Sequence, residues 1–429
     1  MAALVSDETA FCAEPAAASS KQERSPNVVL IISDDQAWTD FGFMGHDTVR
    51  TPRLDRLASQ SAVFPRGYVP TSLCRPSLAT VISGLYPHQH RITGNDPPRG
   101  TDRGEMLRHI RRIPTLPRLL AGRGYASLQT GKWWEGSFRE GGFSAGMTHG
   151  EPARRGRHGD VGLKIGREGL QPISDFLDTC GERPFCLWYA PMLPHTPHNP
   201  PARLLDRYRR ADTPEHVARY YAMCEWFDET CGQLLDELDR RKLTQNTLVV
   251  FVTDNGWIAP PAVRDASGAS IPYGPKSKNS PYEGGIRTPI MLCWPGRIAP
   301  ARYETLVSSI DLAPTILSAA GLKPAPDMQG VNLLDVIAAG GRLERRAIFG
   351  EIFEHNVVSL DDPAPGLRYR WTIENNWKLI LSAGRPTPAP PELYDLAADS
   401  HETQNLAPSR GDLVQRLERQ TDAWWPGRQ

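Results

Sequence analysis

Asn27-Val28-Val29-Leu30-Ile31-Ile32-Ser33 runs directly into Asp34-Asp35, and far downstream Thr247-Leu248-Val249-Val250-Phe251-Val252-Thr253 runs into Asp254-Asn255. Both are short, nearly unbroken apolar runs rich in β-branched residues. That is how a strand buried on both faces of a parallel sheet reads. In open α/β sheets, chemistry gathers outside the carboxyl ends of such strands. If the two runs are parallel neighbours, Asp34, Asp35, Asp254 and Asn255 meet at one place. Carboxylates at an apolar strand end repel one another and resist desolvation, and a cation removes both problems. All-oxygen ligation suits Ca²⁺ or Mg²⁺. Taken singly each pair has a plainer reading: Asp34-Asp35 as a solvated loop or helix cap, and Asp254-Asn255-Gly256 as a turn.

Between the two runs lies Cys74-Arg75-Pro76-Ser77. Pro76 suits the first turn of a helix, and a helix start attracts anions and lowers the pKa of a nearby thiol. Cys74 therefore reads as a nucleophile beside the cation. The plain alternative is a small buried hydrophobe.

Further strands are expected at 125–130 and 185–190, which lead to Lys132 and His195. Helices are expected over 51–61, from Pro76 onward, and over 214–242, where Tyr221, Cys224, Phe227, Leu234, Leu235 and Leu238 form an apolar stripe. Loops rich in Gly, Pro and Ser at 94–104, 136–170 and 256–285 would frame the pocket. After residue 345 the pattern changes to short strands, with a hairpin across Asn375-Asn376 and a closing helix over 413–425. The organisation reads as a lead or leader remnant (1–24), a catalytic α/β domain (25–345) and a small C-terminal α+β subdomain (346–429).

Residues 25–410 resemble the sulfatases. The motifs that carry this are Asp34-Asp35, Thr51-Pro52-Arg53-Leu54-Asp55-Arg56-Leu57, Cys74-Arg75-Pro76-Ser77-Leu78-Ala79-Thr80, Gly84-Leu85-Tyr86-Pro87-His88, Gly131-Lys132-Trp133, Pro194-His195-Thr196-Pro197-His198, Asp254-Asn255-Gly256, Tyr282-Glu283-Gly284-Gly285-Ile286-Arg287-Thr288-Pro289 and Glu392-Leu393-Tyr394-Asp395-Leu396 with Glu402 and Asn405-Leu406. The resemblance implies an alkaline-phosphatase-like fold, with a mostly parallel sheet flanked by helices. It also implies a sulfuric ester hydrolase, arylsulfatase-like, in which Cys74 is oxidised to formylglycine and bears on the metal set Asp34, Asp35, Asp254 and Asn255. By the same resemblance Ca²⁺ is favoured over Mg²⁺. The hydrated aldehyde is the nucleophile, and its second hydroxyl helps expel sulfate. Lys132, His195 and Lys278 would handle the charge of the ester, with Lys276 the competitor for Lys278. The implied partners are a sulfated small molecule or glycan and the formylglycine-generating machinery.

The family pattern has Arg four residues after the cysteine and His two after the Gly-Lys-Trp lysine. Here Leu78 and Trp134 stand instead. Arg75, His88, His90 and His149 are the candidates to replace those groups. The departures keep two other readings open: a phosphomonoesterase or phosphodiesterase of the same superfamily, and a non-catalytic binder of sulfated glycans. Trp133, Trp134, Phe138, Phe143 and Trp257 either stack on a substrate ring or pack their loops.

Lys plus Arg equals Asp plus Glu at 49 each across 429 residues, so no global field recruits nucleic acid. Seven cysteines, an odd number without paired metal spacing, argue against a disulfide framework or a zinc site. No apolar run reaches the roughly 18 residues of a membrane span. The first twenty residues hold Asp7, Glu8 and Glu14 and make no convincing signal peptide. Periplasmic location or secretion is what the family implies.

Overall fold

The computed structural model describes residues 24–150, 161–258, 263–264, 270–271, 276–384 and 388–427. Apart from Arg24, the expected N-terminal lead lies outside the described residues. Among the described residues, the central sheet has nine strands. Eight follow the spatial order Ala301–Arg302, Ala62–Tyr68, Arg287–Cys293, Thr247–Thr253, Asn27–Ser33, Phe185–Ala190, Ala126–Gly131 and Ala145–Gly146, and Val307–Ser308 also pairs with Ala62–Tyr68. All these pairings are parallel except the two made by Arg287–Cys293.

The alternation of side chains along each strand builds two cores. Val28, Leu30 and Ile32, with Leu248, Val250 and Val252, face one layer that includes helix Cys74–Ser83 and helix Leu312–Ala319. Val29, Ile31, Val249 and Phe251 face the other, under helices Pro52–Ser59, Gln171–Cys180 and Glu215–Arg240. Strands covered on both faces lose the hydrophobic–polar alternation of a solvent-facing sheet, so they appear as unbroken apolar runs.

Register places the site. Ser33 pairs with Thr253, and Asp254 N donates to Ser33 O at 2.9 Å, so Asp34-Asp35 and Asp254-Asn255 leave the sheet side by side. Gly131 pairs with Ala190, which brings the start of the Lys132 loop and the chain leading to His195 to the same end.

A second, antiparallel sheet follows, ordered Ala347–Phe353, Leu367–Glu374, Trp377–Ser382 and Glu392–Asp395. Asn375 has φ 53° in the expected turn. Helix Gly411–Trp424 sets Leu413, Val414 and Leu417 on Leu379, Leu381 and Leu393, while Trp371, Ile373 and Ile380 join the first core.

Lys378 is wholly buried in that sheet, with Nζ 3.1 Å from Glu283 Oε1 and 2.7 Å from Glu402 Oε1. Glu402 also accepts from Glu283 N at 2.7 Å, so the C-terminal sheet is bolted to the segment just after Lys278. Lys378→Ala would strand the buried Glu402 carboxylate, whereas Glu283 would keep Tyr68 Oη at 3.0 Å and Arg287 at 3.3 Å. The substitution is expected to cost about 3–5 kcal/mol, read as a lowered denaturant midpoint. Among the described residues, no helix is long and apolar enough to cross a membrane, and the six described cysteines are all free thiols.

Candidate active site

Cys74, Asp34, Asp35, Asp254, Asn255, Lys132, His195 and Lys278 converge at the carboxyl end of the central strands, and every one is buried. Asp35 is the hub. Its Oδ1 takes a hydrogen bond from Lys278 Nζ at 2.5 Å and from Asn255 Nδ2 at 2.6 Å, and lies 3.8 Å from Cys74 Sγ. Its Oδ2 lies 3.4 Å from His195 Nε2, and its backbone N–H donates to Asp254 Oδ1 at 3.0 Å. Lys132 Nζ bridges Asp34 Oδ1 at 2.5 Å and Asp254 Oδ2 at 3.2 Å. Lys278 Nζ also reaches Cys74 Sγ at 2.9 Å.

Local backbone explains how these side chains are aimed. Asp35 is left-handed at φ 58°, which turns it off its strand beside Asp34. Gly131 has φ 72°, and a Cβ there would stand 1.8 Å from Ala190 O, so only glycine lets Lys132 N reach Ala190 O at 2.6 Å. Gly131→Ala is expected to lower stability by at least about 2 kcal/mol in denaturant unfolding. Lys278 hangs between Trp257 O, which accepts its N–H at 3.1 Å, and Asn279, whose N–H donates to Ser72 O at 2.8 Å. Peptide bonds on both sides of His195, before Pro194 and before Pro197, are cis.

The oxygen set fits a hard cation. Asp34 Oδ2, Asp35 Oδ2 and Asn255 Oδ1 are buried and accept no hydrogen bond, which is costly unless something positive meets them. Ligand atoms of Asp34, Asp35, Cys74 and His195 all lie within 4.8 Å of one another. Burial works against charge on Asp35, yet Lys278, His195 and Lys132 hold its carboxyl well below the usual range. Burial and the nearby Asp34 and Asp35 push Asp254 up to about 7 despite Lys132.

Three expectations change. The helix starts at Cys74, two residues before Pro76, with Leu73 as an N-cap that supplies no side-chain bond. Of its first amides, Arg75 N is not open to an anion, because it already donates to Asn95 Oδ1 at 3.0 Å. Burial pushes the Cys74 thiol up to about 12, against the pull of Lys132 and Lys278, so desolvation outweighs any helix-start effect.

None of the proposed substitutes for the missing Arg and His points at the thiol. Arg75 pairs with buried Glu135, His88 with Glu351, and His90 with Thr80, while His149 rests edge-on against Phe138. Lys276 is exposed and donates to Glu402 O, which leaves Lys278 as the site lysine. Trp133, Phe138 and Phe143 are buried loop packing, and Trp257 stacks on Tyr220 at 3.9 Å. Trp134 is buried with its ring 5.6 Å from Lys132 Nζ, and Leu78 lies in the same apolar core as Cys74. Sequence reasoning missed Glu135 and Asn95, for which no linear pattern signals a role.

A family model described as Sulfatase matches residues 26–322. The chain belongs to the sulfatase family. A second model, described as N-sulphoglucosamine sulphohydrolase, C-terminal, matches residues 273–423 of this sulfatase. N-acetylgalactosamine-6-sulfatase of Canis lupus familiaris is 30% identical over 397 residues, covering 82% of this chain and 73% of its own. Arylsulfatase A of Homo sapiens is 28% identical over 378 residues, covering 76% and 70%. In fold, the crystal structure of yidJ from Bacteroides fragilis superposes with a TM-score of 0.76 at 21% identity, covering 96% of this chain and 97% of that one. The expected fold and the expected enzyme class, a sulfuric ester hydrolase, both hold.

Proposed function

We propose that this sulfatase cleaves a sulfate monoester of a carbohydrate or an aryl alcohol, using a formylglycine made from Cys74 and a divalent cation, Ca²⁺ ahead of Mg²⁺. The observation that carries the reading is the setting of Cys74 Sγ: 2.9 Å from Lys278 Nζ and 3.8 Å from Asp35 Oδ1, beside three buried oxygens that accept nothing. Asp34, Asp35, Asp254 and Asn255 would hold the cation, with the residue at 74 bearing on it. When bound, the cation supplies positive charge at the ester oxygens.

The chain's own groups divide the remaining work. Lys132 and Lys278 supply fixed positive charge near position 74, where a sulfate group carries its negative charge. His195 Nδ1 is tied to Thr196 O at 2.6 Å, so Nε2 is the atom turned toward the site for proton transfer at the leaving oxygen. Burial of the whole set excludes water and strengthens each contact. A carbohydrate sulfate is supported by the N-acetylgalactosamine-6-sulfatase relative.

Peptide mass analysis across position 74 in protein from its native host tests this, paired with hydrolysis of an aryl sulfate and of 6-sulfated N-acetylgalactosamine. An aldehyde, lighter than the thiol, and release of sulfate are expected. A persistent thiol with no hydrolysis of either ester would defeat the reading in favour of a glycan binder.

A further inference from the structure

One heavily tied side chain beside the site, Arg75, has no part in the proposed chemistry. It is 2% exposed, and its neighbour in space, Glu135, is 3% exposed. Arg75 Nη2 donates to Glu135 Oε2 at 2.8 Å, while Nε sits 2.6 Å from Oε1 but off the N–H axis, so that second contact is ionic. The remaining donors reach two backbone carbonyls, Nη1 to Gly94 O at 3.1 Å and Nη2 to Met106 O at 3.0 Å. The backbone N–H of Arg75 donates to Asn95 Oδ1. One residue thus ties together three segments: the helix that begins at Cys74, the 94–106 segment and the loop that carries Lys132.

A buried ion pair is weak evidence for stability, since hydrophobic replacement often serves as well. Its placement says more. Arg75 follows Cys74 directly, and Glu135 comes three residues after Lys132. Where the family pattern has Arg and His, the chain has Leu78 and Trp134, both packed in the apolar core with Cys74. The polar link between the two segments therefore runs one residue past the nucleophile and one residue past Trp134.

We infer that Arg75 and Glu135 are a positioning pair, which fixes the residue at 74 relative to Lys132 and so compensates for the polar groups absent at 78 and 134. The inference rests on the proposed function for its catalytic consequence. Its geometric content, that the pair sets where Cys74 sits, is independent of that reading. Neither residue touches the metal set, so the pair acts through the groups it holds.

Glu135 is the residue to change, because substitution there leaves the sequence around Cys74 intact for the modifying machinery. Glu135→Gln keeps the shape and removes the charge, and Glu135→Asp keeps the charge but shortens the reach if the first variant does not fold. In converted protein, both are expected to show wild-type aldehyde content and kcat lowered about 10- to 100-fold, with KM within about threefold, as for a misplaced reacting group. In unconverted protein, alkylation of Cys74 by iodoacetamide should accelerate at least about fivefold relative to buried Cys186 in the same chain, read by peptide mass. General loosening would accelerate both thiols together. Unchanged kcat together with an unchanged Cys74-to-Cys186 ratio in a folded variant overturns the positioning role. If wild-type protein cleaves no sulfate ester, the proposed function fails, and the thiol ratio alone then decides the pair.

Discussion

Cys74→Ala is expected to abolish sulfate ester hydrolysis, by at least about 10³-fold in kcat, while leaving the fold in place. Cys74 is small, 1% exposed and hydrogen-bonded only within the site, so alanine loses little packing. Under the proposed function alanine cannot be oxidised to the aldehyde whose hydrate attacks sulfur, and neither Lys132 nor His195 can supply a substitute hydroxyl. Steady-state rates on an aryl sulfate, alongside a thermal melt, check both halves. Residual turnover within tenfold of wild type would place the chemistry elsewhere. Leu78→Arg probes the step before this one. Leu78 is 3% exposed in the core, so the new charge is costly to bury. A rise in aldehyde content at position 74 would show that the modifying machinery, rather than the finished site, wants arginine there.

Asp35→Asn is expected to be nearly as damaging, for a different reason. Asparagine keeps the size of the side chain and tolerates the left-handed backbone at φ 58°. It removes the charge that Lys278 at 2.5 Å and His195 at 3.4 Å now face. It also removes one carboxylate from the candidate cation set. Turnover should fall at least about 10²-fold. In the wild type, Ca²⁺ at 100 times its Kd should add about 2.7 kcal/mol of stability, and a chelator should remove both that gain and the activity reversibly. In Asp35→Asn the Ca²⁺-dependent gain should shrink or vanish. An equal Ca²⁺ response in both proteins would sink the assignment of Asp35 as a ligand.

Several features were legible because they depend on local pattern. A strand covered on both faces has to be apolar throughout, so Asn27–Ser33, Thr247–Thr253 and Phe185–Ala190 stand out in the chain. Acidic residues at the ends of such strands are out of keeping with a core, which made Asp34 and Asp254 candidates for a site. The long helix Glu215–Arg240 shows its stripe in the same way. The resemblance to sulfatase motifs then nominated Lys132, His195 and Lys278, all of which the structure brings together.

What only the tertiary structure decided is which polar atoms are already taken. The register of Ser33 on Thr253 brings the two acidic ends together, and no run of residues encodes a pairing across such a separation. Arg75 was one candidate to replace the missing arginine or histidine, but Glu135, two backbone carbonyls and the Asn95 side chain hold it in the interior. The thiol of Cys74 was expected to be acidic from its place at a helix start, and burial makes it the reverse. Lys276 and Lys278 are indistinguishable as letters, yet one is exposed and the other lies 2.9 Å from the thiol. Pattern and propensity report how a residue relates to its own element, whereas desolvation and hydrogen-bond partnership depend on every other element packed around it.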